Sequence, residues 1–300
     1  MAGASEAFQI RAFDGSLGDG QAIVEIDRAT FADSPYSAEQ IVALEADAGQ
    51  HAWMALERDR IVGYVSAFAT YSLAAGRWEV DELAVHPQAQ GRGIGTALVA
   101  RALAVGAEQG GLREARALVA ADNLASQRVF AKNGFRVAGT VHLLSYRVNG
   151  RTPRRPRPGA PLVRPAQAGE GAALARLLAG GAASPARVAA QMARPDVHYL
   201  VAVENGALLG GMELVHVRTL QYEGLWVESL AVTPAGRGPG AVENRAALAL
   251  LGAAIERVKR QDGMDLVGYL VAPRKKALHA AAVAEGMGLV DVYKSYVYEW

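Results

Sequence analysis

The stretch "HPQAQGRGIGTALVARAL", residues 86–103, sets Gly91, Gly93 and Gly95 at alternate positions ahead of an apolar helical run. A strand, a glycine-rich loop and a helix N-terminus together form an anion site. Unpaired amide N–H groups point outward there, and the helix dipole adds partial positive charge. Glycines let the backbone adopt positive φ and come close to a phosphate. The chemistry implied is binding of a phosphate or pyrophosphate. Two familiar loops do not fit. A P-loop needs Lys and then Ser or Thr after its last glycine, whereas Thr96 follows Gly95 directly. A dinucleotide fingerprint needs a third glycine where Thr96 stands, and no clear acidic ribose partner follows at a strand end.

Elements that position the loop can be read from periodicity. "WEVDELAV" is the strand entering it, and the helix leaving it runs to about Gln109, with Leu98, Ala102 and Val105 on one face. Upstream, "FQIRAF" is a short alternating strand. A helix follows around residues 19–31, and another opens at Ser37, where Ser37 and Gln40 have capping-box spacing. "AWMALE" and "IVGYVSAFATY" flank "RDR" as a hairpin. Downstream, "ARALVA" is a strand and "ASQRVFAKNG" a short helix closed by Gly134. "FRVAGTVHLLSYRV" is expected to hold the last two strands. The order is β-α-α-β-β-β-α-β-α-β-β.

This order occurs twice. "HAWMALERDRIVGYVSAF" from His51 resembles "HYLVAVENGALLGGMELV" from His198, an offset of 147 residues (198 − 51). "DELAVHP" at 81–87 matches "ESLAVTP" at 228–234 with the same offset (234 − 87 = 147). Beyond the proline the register slips by two residues, so the second loop, "TPAGRGPGAVENRAALAL", is shorter. A period near domain size implies duplicated domains rather than a solenoid. Residues 149–161, "NGRTPRRPRPGAP", read as a stiff, solvated linker between domains at 1–148 and 162–300. In the second copy Ser184-Pro185 opens a helix and Asn205-Gly206 turns a hairpin.

Composition bounds the function. The 300 residues carry 31 basic and 30 acidic side chains, a balance that gives no electrostatic argument for nucleic acid or a membrane surface. There is no cysteine, which excludes disulfides, thiolate metal sites and a cysteine nucleophile. The six histidines fall at no metal-ligand spacing, so no metal is expected. The N-terminal residues lack a secretory pattern, and no apolar run reaches the roughly 18 residues of a membrane span. A soluble, cytoplasmic protein is the expectation.

Gln90-x-x-Gly93-x-Gly95, preceded by "ELAVHP", resembles the acetyl-CoA pyrophosphate loop, Q/R-x-x-G-x-G/A, of the GCN5-related N-acetyltransferases. "ADNLASQRVFAKNGF" is similar to the family's Asn-x-x-Ala/Ser…Tyr-x-x-x-Gly-Phe segment, and the element order also agrees. The resemblance covers residues 8–148 well and 162–300 more loosely. It implies an α/β fold of two tandem acyl-CoA N-acyltransferase domains, each a central mixed sheet flanked by helices. It further implies acetyl transfer from acetyl-CoA to a primary amine of a small molecule or peptide, by direct attack in a ternary complex. The amides from Gly91 to Gly95 (Gly91, Arg92, Gly93, Ile94 and Gly95), with Arg92 and Thr96 nearby and Gln90 opening the motif, would hold the pyrophosphate. Leu83, Ala84 and Val85 would offer free backbone groups to the pantetheine, and the Val85 amide would stabilise the oxyanion. Glu82 leads as the general base, with Asp81 and Glu79 competing; strand alternation sets 79 and 81 on one face and 82 on the other. Asn123 would contact the pantetheine or the amine, or cap the following helix. Phe130, counted among the coenzyme-binding positions, stands where the family places a tyrosine as general acid, so either water, Tyr36 or Tyr146 would protonate the thiolate or turnover would be slow. Acceptor selection is assigned to residues 30–40 and 139–148.

The second loop has lost the glutamine, and Pro239 removes an amide donor, so the second domain is expected to be degenerate and to pair with the first. A homodimer is left open. The departures at Phe130 and in the second loop keep two alternatives in view: a coenzyme A sensor without efficient turnover, and a mycothiol-synthase-like acetyltransferase. Against the latter, its transfer belongs to the C-terminal half, whereas the intact loop here is N-terminal.

Overall fold

The computed structural model describes residues 8–31, 33–45, 49–148, 152, 157–181, 183–220, 222–233, 245–261, 263–264 and 266–300. The first half contains β1 (Gln9–Ala12), α1 (Leu17–Phe31), α2 (Ala38–Glu45), β2 (Gln50–Glu57), β3 (Arg60–Tyr71) and β4 (Gly76–Val85). It continues through α3 (Ile94–Glu108), β5 (Leu112–Ala120), α4 (Leu124–Lys132) and β6 (Arg136–Arg147). The second half repeats the series as β7 (Leu162–Pro165), α5 (Gly171–Ala179), α6 (Pro185–Met192), β8 (Val197–Glu204) and β9 (Ala207–Arg218). Then follow β10 (Glu223–Val232), α7 (Arg245–Lys259), β11 (Leu266–Val271), α8 (Lys276–Ala284) and β12 (Gly288–Glu299).

Local signals act where they stand. Ser37 N–H donates to Gln40 Oε1 (2.8 Å) and Gln40 N–H to Ser37 Oγ (3.4 Å), a closed capping box at the start of α2. Arg58 and Asp59 turn the β2–β3 hairpin with positive φ, as Asn205 and Gly206 do between β8 and β9. Ser184 caps α6, with Pro185 in its first turn. Gly134 follows α4 at φ +84°.

All twelve strands form one sheet in the order β1-β2-β3-β4-β5-β12-β6-β11-β10-β9-β8-β7. Among the described residues only β4·β5 and β10·β11 are parallel. Two features correct the sequence reading. Residues 136–147 form a single strand rather than two, because β12 of the second half fills the place beside β5. Reciprocally, β6 lies beside β11 of the second half, and β6 and β12 pair with each other at the centre. Gly139 lies next to a register shift in that pair, not in a turn.

The core on the α3 side of the first half gathers Trp78, Val80, Ile94, Leu98, Val99 and Ala102. Trp78 donates from Nε1 to Ala102 O (3.0 Å), and its ring occupies the space a Cβ at Gly106 would need, so α3 lies close on β4. α7 covers Leu225 and Val227 in the second half, the counterparts of Trp78 and Val80. Among the described residues no helix is long and apolar enough to cross a membrane.

Candidate active site

The glycine loop begins where β4 ends. Gln90 reaches back from Nε2 to Val85 O (2.9 Å), bracing the loop against the strand. Gly91 and Gly93 have φ of +78° and +85°, conformations that favour glycine, and a Cβ at either would meet nothing within 4 Å. Gly93 is the N-cap of α3 and makes no side-chain cap bond. The first helical N–H with an intrahelical acceptor is that of Ala97, to Gly93 O (3.1 Å). The amides of Ile94, Gly95 and Thr96 are therefore helix-start donors opening onto the glycine loop. Ile94 anchors the start in the core at 1% exposed, Gly95 lies against Val129, and Asn133 Nδ2 donates to Thr96 O (3.2 Å). The arrangement fits a diphosphate. The Arg92 guanidinium pairs with Glu57 (2.8 Å) and donates from Nε to Ala89 O (3.4 Å).

Upstream, β4 pairs with β5 only from Gly76 to Glu79 and then separates from it. The register with β3 shifts at Asp81, where Ala67 faces Val80 and Ser66 faces Glu82. This bulge bends the strand away from β5. It also resets the alternation, so that Leu83 and Val85 join Trp78 and Val80 on the α3 face while Ala84 lies beneath α1. Glu82 thus falls on the same face as Asp81 and Glu79, not on the opposite one.

Backbone parity follows from the same register. His86 N–H donates to Val62 O (2.8 Å), and Gly63 pairs with Val85. In an antiparallel ladder the bonded residues then alternate, so Ala84 and Glu82 turn their peptide groups to β3. Leu83 and Val85 turn theirs to the gap left by β5. Ala84, expected to offer free groups, is therefore committed to the ladder, and Val85 O is taken by Gln90.

Asp81 faces a cavity of about 170 Å³ at the centre of the sheet. Its floor comes from four strands, through Leu118, Ser295, Val141 and Leu270. Phe68, Thr70, Glu79 and Arg116 border it from the first half, and Val217, Tyr222, Trp226 and Glu228 from the second. Burial, then the charge of Glu79, push the Asp81 carboxyl up to about 7, against a hydrogen bond from Thr219. Burial alone would raise Glu79 too, but Arg116 (2.8 Å) and Arg77 (3.2 Å) hold it below the usual range. Arg77 also donates to both oxygens of Glu228 (2.7 Å each) across the two halves.

The other predicted side chains lie elsewhere. Glu82 does not line this cavity; it interacts with the Tyr64 hydroxyl, which donates to buried Asp27. Asn123 caps α4, accepting from Ser126 N–H (3.0 Å). Phe130 is 4% exposed and packs edge-on against Phe135 and beside Tyr296, so its ring belongs to the core rather than to a groove. Tyr146 packs on the second half's core beneath Lys259, and Tyr36 packs near Ile23 and Ile41. None of the described residues among 30–40 lines the cavity, and 139–148 contribute Val141. The second glycine loop, residues 234–244, lies outside the described residues. Sequence reading missed Arg77, Arg116, Thr219, Tyr222, Trp226 and Glu228. The 147-residue offset carried a signal for one of them, since it pairs Glu228 with Asp81 (228 − 81 = 147). No group of three or more His, Asp or Glu among the described residues is placed to hold a metal.

Residues 21–135 match the family model described as the acetyltransferase (GNAT) family. No curated protein matches the sequence. Among solved structures, the chain is similar to a GCN5-related N-acetyltransferase from Sphaerobacter thermophilus, at 21% identity and a TM-score of 0.61, over 97% of this chain and 95% of that one. It is also similar to a tandem GNAT protein from the clavulanic acid biosynthesis pathway, at 18% identity and 0.60, over 98% of each chain. A third is the GCN5-related glucosamine N-acetyltransferase region of a fungal multi-domain GH3 β-N-acetylglucosaminidase, at 18% and 0.64, over 98% of this chain and 38% of that one. At these identities the likeness is one of fold. The match to that family model spans residues 21–135, and the chain as a whole has the two-domain fold of the tandem GNAT structures it resembles.

Proposed function

We propose that the protein is an acetyl-CoA-dependent N-acetyltransferase whose first half performs the transfer to a primary amine held in the central cavity. One observation carries this reading: Asp81 stands at the bulge where β4 leaves β5, with the glycine loop at one end of that strand and the cavity beside it. Acetyl-CoA supplies the activated acetyl group. The helix-start amides from Ile94 to Thr96 bind its diphosphate, and the outward peptide groups of Leu83 and the Val85 N–H pair with its arm. An N–H of that pair faces the carbonyl oxygen, and a preorganised donor of this kind typically contributes about 3–4 kcal/mol to the transition state.

An alkylammonium, with a pKa of roughly 10.4, must lose a proton before it can attack. Asp81, with its carboxyl raised to about 7, takes that proton at neutral pH. The free amine then bonds to the acetyl carbon as the C–S bond breaks, and the proton the nitrogen sheds passes through solvent to the departing thiolate. We assign the base role to Asp81 rather than Glu82, whose carboxyl is engaged with Tyr64. A second reading, a coenzyme A sensor, draws on Phe130, a core residue with no proton to give. Free-thiol release from acetyl-CoA across a panel of amines separates the two. Thiol release that depends on the amine supports transfer. Tight coenzyme binding by calorimetry without thiol release for any amine supports the sensor.

A further inference from the structure

The two walls of the central cavity differ although the duplication pairs them position by position. Thr70, Glu79 and Asp81 correspond to Val217, Trp226 and Glu228 (217 − 70, 226 − 79 and 228 − 81 all equal 147). All six line the cavity. The first wall is polar: Thr70 donates to Glu79 (3.0 Å), Glu79 is held by two arginines, and Asp81 faces the open space. On the second wall the hydroxyl has become a valine, the hub carboxylate has become an indole, and Glu228 is held through both oxygens by Arg77.

The indole has a place prepared for it. A Cβ at Gly268 would lie 2.9 Å from atoms of the Trp226 ring, so this glycine makes room for the indole beneath the cavity wall. The Tyr222 ring stands against it, with centroids 5.6 Å apart. The copy that no longer mirrors the carboxylate cluster therefore presents an ordered aromatic pair to the same space.

We infer that Trp226 and Tyr222 are acceptor-specificity residues, and that the acceptor is a primary amine with one cationic group and a compact apolar body. This rests on the acetyl-transfer reading. The nitrogen lies at the Asp81 wall and the body against Trp226, Tyr222 and Val217. Burying apolar surface on that wall drives binding, and aromatic faces tolerate the nearby ammonium. A multiply charged amine would surrender the water around its second cation to an indole and a valine, neither of which accepts a hydrogen bond, and a short hydroxylated amine leaves the aromatic wall unfilled.

Initial rates of thiol release test this with isoamylamine, phenethylamine, ethanolamine and spermidine as acceptors. The expected kcat/KM for isoamylamine or phenethylamine is about tenfold or more above that for the two hydrophilic amines. Trp226→Ala is expected to collapse that ratio, with Trp226→Leu as the fallback should the alanine variant not fold. Equal or reversed preference, or a ratio unmoved by a folded Trp226 variant, overturns the inference while leaving acetyl transfer intact. Thiol release with none of the amines overturns the acetyl-transfer reading itself. In that event, saturable quenching of tryptophan fluorescence by phenethylamine, lost in the Trp226 variant, still supports the cavity assignment, and its absence overturns it.

Discussion

Leu73 and Leu220, equivalent across the duplication (220 − 73 = 147), are each buried in the core of the opposite half. Leu73, on the β3–β4 loop, packs among Leu174, Val188 and Tyr199, and Leu220, on the β9–β10 loop, packs among Ile23, Ile26 and Ile41. The contact is isologous in kind, like that of a two-fold dimer made within one chain. Arg187 fixes the first loop by donating to Ser72 O (2.8 Å) and Leu73 O (3.1 Å). The second loop carries Thr219, the partner of Asp81, so the exchange that joins the halves also completes the cavity.

Leu73→Ala and Leu220→Ala are each expected to destabilise the chain by about 2–5 kcal/mol, the range for emptying a packed leucine site. Urea denaturation measures this. Residues 1–148 alone lack both β12 and the Leu220 loop, and are expected not to unfold cooperatively. A cooperative transition from that fragment would contradict the shared sheet.

Arg77 ties Glu79 to Glu228 while being only 10% exposed in its side chain. Removing one member of a buried ion cluster strands its partners, at a typical cost of about 3–5 kcal/mol. Arg77→Met is therefore expected to be far more destabilising than Arg77→Met combined with Glu228→Leu. A double-mutant cycle by thermal or urea unfolding reads the difference.

Gly93 sits at φ +85° with open space where its side chain would be. Gly93→Val forces a β-branched residue into a left-handed conformation, at a cost of about 1–2 kcal/mol. It also places methyl groups before the helix-start amides. Acetyl-CoA binding by calorimetry is expected to disappear in a chain that remains folded. Unchanged affinity would place the diphosphate elsewhere.

For Asp81 the expected pH signature is a rise in kcat/KM through about pH 7, as the carboxyl loses its proton and becomes a base. Asp81→Asn is expected to remove that inflection and lower the rate about 10²–10⁴-fold. Glu82→Gln is expected to keep the inflection. A profile for Asp81→Asn that still bends near 7 would return the base role to another group.

Stability should also respond to pH. Burial raises Asp81 from 3.8 and Glu213 from 4.5, each to about 7. Between those values the unfolded chain has lost protons that the native chain keeps, so the native state binds more and ΔG of unfolding falls as pH rises. The contribution is fully present below the unfolded values and is lost as pH rises through 7. Urea midpoints are expected to fall from pH 5 to pH 8, and Glu213→Gln to flatten that slope.

What the sequence alone settled is what neighbouring residues settle. The capping box at Ser37, the turn at Asn205-Gly206, the left-handed Gly93 and the helix behind it depend on chemistry within a few positions, and the duplication is visible as a repeat of letters. Which carboxylate meets the cavity was not settled there. A single bulge at Asp81 inverts the alternation downstream of it, and a bulge reflects pairing with β3 rather than any local preference. Nor did the residues around 140 reveal that β6 would cross to the second half, because either half offers a strand edge of the same chemistry. Only the folded chain chose. Tyr222, Trp226 and Glu228 share the cavity with the first half's β4, and Thr219 hydrogen-bonds Asp81, although they lie well over a hundred residues away in sequence, where packing of two whole sheets decides position and no short-range propensity applies.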